Sequence, residues 1–265
     1  MRPAISVDRL AARLLLMAPL ALLSGCVILN YDREHARELA ESQAAADQTP
    51  AAKPVEHPAT PVAGIPPAPA PAATPDAKQA LALLLAGNQR FIHQRMERTH
   101  QDPARRVAVA TGQHPLAIVV SCSDSRVPPE QVFDVGLGDV FVVRVAGNVL
   151  DAIELGSIEY AAAHLHIPLV VVMGHERCGA VTAALSGEAA PGHVSAIVKR
   201  ILANLDGTTP APGDLVDQAV RINAQASARQ ISESDPILKP LVAAGTLRVV
   251  SARYDLDDGV VEILP

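Results

Sequence analysis

Three side chains in this sequence are of types that can share one metal ion. In VVVMGHERCGAV, residues 170–181, His175 and Cys178 stand three positions apart after an apolar run, and Cys122 follows another such run in VVSCSDSRVPPE. Two thiolates and a neutral imidazole are a preferred donor set for zinc, which takes sulfur and nitrogen ligands readily. A structural zinc site closes with four protein ligands, yet beyond Cys122 and Cys178 the only other cysteine is Cys26, near the N-terminus. Water or an oxygen ligand must then fill the fourth position, and Asp124 is the nearest carboxylate in sequence. Three protein ligands with one open position is the arrangement for Lewis-acid chemistry on water. Plainer readings use the same residues: a Cys122–Cys178 disulfide, two inert buried thiols, or Ser123-Asp124-Ser125 as a helix cap ahead of Pro128-Pro129. A redox dithiol is disfavoured, because the two cysteines do not form a Cys-x-x-Cys.

These residues need elements to hold them. Leu116–Val120, Val140–Val145 and Leu169–Met173 are nearly continuous apolar runs rich in Val and Ile, as expected of buried parallel strands. Helical spacing recurs over residues 77–96, through Leu81, Leu84, Leu85, Asn88, Phe91 and Ile92, and again over Glu130–Val135, Asp151–Leu165, Val194–Leu205 and Leu215–Ile231. Thr246–Tyr254 and Val260–Leu264 read as a strand pair turning at Asp257-Asp258-Gly259. Strand and helix in alternation predict one α/β domain over residues 76–265, with a mostly parallel central sheet flanked by helices and a C-terminal antiparallel strand. Ligands of such sheets bind at the carboxyl ends of the strands, where both cysteine motifs fall.

The rest of the chain reads differently. Residues 1–25 carry Arg2, Arg9 and Arg13 ahead of an apolar run, and Leu23-Ser24-Gly25-Cys26 resembles the lipobox of bacterial lipoproteins. This predicts a lipoprotein signal peptide over 1–25, lipidation of Cys26, export to the bacterial cell envelope facing the periplasm, and membrane contact through the lipid alone. Nine of the 22 prolines fall between Thr49 and Pro75, interleaved with alanine, so residues 26–75 read as an anchor and a disordered stalk. The net charge is −6 and Lys and Arg are not clustered, which excludes nucleic acid or a polybasic membrane contact.

Cys122-Ser123-Asp124-Ser125-Arg126 and His175-Glu176-Arg177-Cys178-Gly179 resemble the paired zinc motifs of the β-class carbonic anhydrases. The similarity continues through GNQRF, VFDVGLGDVFVVRVAGN, GSIEYA and ARYDLDDG, from about Leu83 to Leu256. The resemblance implies one zinc per chain, reversible hydration of carbon dioxide to bicarbonate by a zinc-bound hydroxide, and a homodimer or dimer-based oligomer with sites at the subunit boundary. It implies Cys122, His175 and Cys178 as ligands, Asp124 and Arg126 as a catalytic dyad, and Gln113, Phe141 and Tyr160 as substrate-binding positions; independently of the resemblance, an apolar wall of Phe141 and Val143 suits an uncharged linear substrate. Ala146 falls where some members carry valine. The chain has no tryptophan, which a regulatory bicarbonate site in one subgroup uses. His164, His166 and His193 are candidates for proton export, although solvated histidines are commoner. Two other readings use the same zinc: hydrolysis of carbon disulfide or carbonyl sulfide, and a catalytically silent zinc-stabilised binding module, against which Asp124 and Arg126 speak.

Overall fold

The computed structural model describes residues 75–208 and 213–265; the leader, Cys26 and the stalk as far as residue 74 lie outside the described residues. Among those described, five strands form one sheet in the order β2-β1-β3-β4-β5. They are β1 (Ala117–Ser121), β2 (Val140–Arg144), β3 (Leu169–His175), β4 (Arg248–Tyr254) and β5 (Val261–Ile263), and β5 alone runs antiparallel, against β4. The helices are α1 (Ala77–Ile92), α2 (Pro103–Ala108), α3 (Pro129–Val132), α4 (Ala152–His164), α5 (Gly179–Leu185), α6 (Val194–Leu205), α7 (Leu215–Ser232) and α8 (Leu238–Ala243).

The sheet is covered on both faces: its central strands β1 and β3 are buried at every position and apolar at all but Ser121 and His175. Successive side chains point to opposite faces, so Val119, Val171 and Met173 pack in one cluster with residues of α1, α5, α6 and α7. Ile118, Val120, Val170 and Val172 pack in the other, with Ile158 and Ala161 of α4, Ile231 of α7 and Leu238 of α8. Gly174 lets α7 lie close over β3, since a Cβ there would stand 2.9 Å from Val220 Cγ1.

The strand order matters for function. The chain leaves β1 for β2 on one side and returns to β3 on the other, so the connections diverge between β1 and β3, and an open α/β sheet has its binding crevice at such a point. Cys122 follows β1 directly and His175 is the last residue of β3, which runs two residues beyond its expected end. The first helix stops at Ile92, earlier than its pattern suggests, because Gln94 turns left-handed at φ 56°. The helix expected over Glu130–Val135 is a single turn, ended by left-handed Asp134. Helices α2, α5 and α8 have six or seven residues, too few for a period to show in sequence.

Candidate metal centre

The end of β1, the end of β3 and the first turn of α5 bring Cys122, His175 and Cys178 together. Their ligand atoms all lie within 4.8 Å of one another, and all three residues are buried. Both cysteines are free thiols, so the disulfide reading fails. His175 Nδ1 donates to the Glu176 carbonyl oxygen at 2.8 Å, which leaves the Nε2 lone pair facing inward. That atom is buried and has no hydrogen-bond partner. A buried polar atom without a partner is costly, and a cation bound between it and the two sulfurs relieves the cost. The donor set and the orphaned nitrogen both fit zinc.

The two sulfurs are not equivalent. Cys122 accepts a hydrogen bond from the Cys178 thiol; burial opposes its ionisation, but that bond and the backbone amides of Gly147 and Asp124 hold its pKa well below the usual thiol range. Cys178, donor to that thiolate and itself buried, is pushed far up. A metal ion entering the trio therefore displaces the proton that the sulfurs share.

Asp124 sits beside the trio without joining it. Its Oδ2 is 3.8 Å from His175 Nε2, while Arg126 donates to both carboxylate oxygens, Nε to Oδ1 at 2.9 Å and a terminal nitrogen to Oδ2 at 2.7 Å. The Arg126 backbone amide adds a third bond to Oδ1 at 2.9 Å. These bonds hold the Asp124 carboxyl well below the usual carboxylate range despite partial burial. The cap reading of Asp124 also fails, since the residue ahead of α3 is Pro128 and no side chain caps that helix.

A sequence model of the carbonic anhydrase family matches residues 117–261. Carbonic anhydrase 2 of Mycobacterium tuberculosis is 40% identical over 185 residues, covering 66% of this chain and 87% of that protein. The carbonic anhydrase of Mycolicibacterium smegmatis is 41% identical over 181 residues, covering 67% and 88%. Among solved structures, a tetrameric β-carbonic anhydrase of Sordaria macrospora aligns with TM-score 0.56 and 26% identity over 70% of this chain and 97% of its own. The Coccomyxa β-carbonic anhydrase in complex with acetazolamide gives TM-score 0.56 and 28% identity over 69% and 86%. The chain belongs to the β-carbonic anhydrase family. With it comes the enzyme class, carbonate dehydratase.

Of the other residues singled out from the sequence of this carbonic anhydrase, Ala146 adjoins Gly147, whose amide donates to Cys122 Sγ, and Phe141 lies further along the sheet. Phe141 pairs in register with Ile118, four residues ahead of Cys122, or about 13 Å along the strand. Its ring is 6.4 Å from that of half-exposed Tyr160, which lies 5.4 Å from that of His164. Val143 pairs with Val120, nearer the trio, and packs in the second core cluster. Gln113 is exposed in the loop leading into the opposite end of β1, and Ala146 is half-buried in the turn after β2. His164, His166 and His193 are all exposed.

The sequence reading missed several supports. Arg144, in register with Ser121, donates to the Cys122 carbonyl at 2.9 Å and the Asp124 carbonyl at 2.6 Å, clamping the loop that holds both. A lone arginine closing an apolar strand was the available signal. Glu176 and Arg177, between two of the trio, are pinned to the turn after β4: Arg177 reaches Asp257 at 2.6 and 3.0 Å, and Glu176 accepts from the Leu256 amide at 3.2 Å. That clamp holds Arg177 left-handed, at φ 50°. Nothing in the sequence pairs Arg177 with a residue 80 positions away.

Proposed function

We propose that this protein hydrates carbon dioxide reversibly, with one zinc per chain held by Cys122, His175 and Cys178. The buried, partnerless His175 Nε2 facing two free thiols is the observation that carries the assignment. Zinc in such a site supplies the Lewis acidity that makes a water molecule nucleophilic near neutral pH. The protein's own groups do the rest. Asp124, kept ionised by Arg126, offers a carboxylate edge beside the trio that accepts a proton in a hydrogen bond and so orients the attacking water. The bidentate Arg126 pair also occupies both carboxylate oxygens, which opposes capture of Asp124 as a fourth ligand.

The working unit in this proposal is a homodimer, or an oligomer built from it. Strand β2 is an edge whose residues are all half-buried, and among the described residues it pairs only with β1. Beside it α4 leaves Ile153 81% and Tyr160 50% exposed. An apolar helix face next to an open strand edge is a surface built to be covered. Covering it with a second copy offers the route by which Gln113, Phe141 and Tyr160 of one chain line the site of the other.

The test is stopped-flow carbon dioxide hydration with zinc quantified in the same samples. The expected result is about one zinc per chain and turnover in the native protein, and neither in Cys122→Ser. Full zinc content in that variant would overturn the ligand assignment.

A further inference from the structure

Helix α7 packs on the sheet and on α6, yet two of its core positions one turn apart are Asn223 and Ser227, both fully buried. Such groups are destabilising unless each finds a partner. Asn223 Nδ2 donates to the Gly147 carbonyl at 2.8 Å, and its Oδ1 accepts from Asn204 Nδ2 of α6 at 2.8 Å. Ser227 Oγ donates to the Asn148 carbonyl at 3.3 Å. Two side chains of α7 thus hold two consecutive carbonyls of the turn after β2, and Asn204 of α6 orients the first of them.

That turn is one the backbone does not adopt freely. Gly147 has φ 68° and Asn148 φ 45°, both left-handed, and a Cβ on Gly147 would stand 2.9 Å from Ile201 Cδ1. In this conformation the Gly147 amide donates to Cys122 Sγ at 3.2 Å. An amide bonded to a thiolate draws electron density from the sulfur, which then donates less to a metal. With two thiolates in the donor set, that tuning bears directly on how acidic the metal remains.

We propose that Asn223, oriented by Asn204 and assisted by Ser227, is a positioning residue of the metal centre: it holds the Gly147–Asn148 turn so that the Gly147 amide stays on Cys122 Sγ and sets that sulfur's donor strength. The inference rests on the trio being the zinc site. Asn223 touches no ligand; it acts through the turn.

The test uses the full-length protein with cobalt(II) in place of zinc, and three variants. In Asn223→Ala the sulfur-to-cobalt charge-transfer band moves to lower energy, because a sulfur without its amide partner is more electron-rich, while zinc affinity, measured against a chromogenic chelator, falls about 10- to 100-fold because the loosened turn no longer fixes Cys122 for the metal. Ser227→Ala moves both in the same direction by less, and it decides the matter if Asn223→Ala does not fold. Asp134→Asn, which loosens the fold away from the trio, lowers the melting temperature but leaves the band and the affinity as in the native protein. Native values in folded Ser227→Ala and Asn223→Ala would reduce Asn223 to a packing residue, and equal shifts in Asp134→Asn would make the effect one of general stability. A native protein that binds neither cobalt nor zinc would instead refute the metal site itself.

Discussion

At the level of single residues, Arg126 carries the sharpest consequence. Its planar guanidinium matches both oxygens of Asp124, and a lysine ammonium cannot. Arg126→Lys and Arg126→Ala both release a carboxylate that stands 3.8 Å from a nitrogen of the trio. Freed, Asp124 is expected to turn toward the metal and close the open position. Both variants therefore retain zinc while carbon dioxide hydration falls at least roughly a hundredfold, the scale on which a misplaced catalytic group acts. Zinc content and hydration rate on the same preparations check this. Near-normal turnover in Arg126→Ala would refute the assigned role of the dyad and leave the ligand assignment standing.

Between elements, buried carboxylates and amides fasten loops to the scaffold away from the trio. Asn88 of α1 donates to the carbonyls of Val132 and Gly259 and accepts from the Val261 amide, tying α3 and the turn into β5 to one helix. Asp134 does the same for the loop after α1, accepting from Arg90 Nε at 2.6 Å and from the amides of Glu97 and Arg98 at 2.9 and 3.0 Å. Burial pushes the Asp134 carboxyl up, but Arg90 and the two amides outweigh it, and the net shift is downward. A carboxyl depressed in the folded state stabilises fully above its unfolded pKa of about 3.9 and loses that contribution as pH falls through the folded value. Asn adopts left-handed φ as readily as Asp, so Asp134→Asn removes the charge without straining the turn. It is expected to cost about 1.5–3 kcal/mol near neutral pH. Thermal unfolding from pH 7 to pH 3 should show that difference shrinking below about pH 4. A difference independent of pH would show that packing, not charge, is what the residue supplies.

For the whole molecule, the expectations concern assembly and location. If a second copy covers β2 and α4, Ile153→Asp buries an uncompensated carboxylate in the interface, at a cost of about 3–5 kcal/mol. The dissociation constant then rises at least about a hundredfold. Analytical ultracentrifugation checks this, and a hydration assay on the same variant should show turnover falling as the assembly comes apart. An unchanged sedimentation profile would mean that this face is not the interface. No described helix is long and apolar enough to cross a membrane. Attachment is expected through lipidated Cys26: the native protein partitions into the detergent phase of a phase-separating detergent, and Cys26→Ala does not. Mass spectrometry finding unmodified Cys26 at the mature N-terminus would refute it.

The α/β class, the central strands and the clustering of Cys122, His175 and Cys178 were all legible in the sequence, for one physical reason. Buried parallel strands read as continuous apolar runs, and the chemistry sits where those runs end, so Cys122 and His175 announced themselves by local pattern alone. What the sequence could not supply was everything that depends on distant partners. The short helices α2, α5 and α8 carry too few residues for a period to emerge, and tertiary packing holds them. Arg144 over the Cys122 loop, Arg177 on Asp257 and Asn223 under Gly147 join residues 22, 80 and 76 positions apart. Each side chain taken alone reads as an ordinary polar residue. Phe141 and Tyr160 show the same limit from the other side: their types suit an apolar pocket, but strand register sets Phe141 about 13 Å along the sheet from Cys122. Residue types and strand ends thus determined which atoms could do the chemistry. Only the packing of helices and turns around them decided which carboxylate Arg126 holds beside the trio, which amide meets which sulfur, and which apolar face stays exposed.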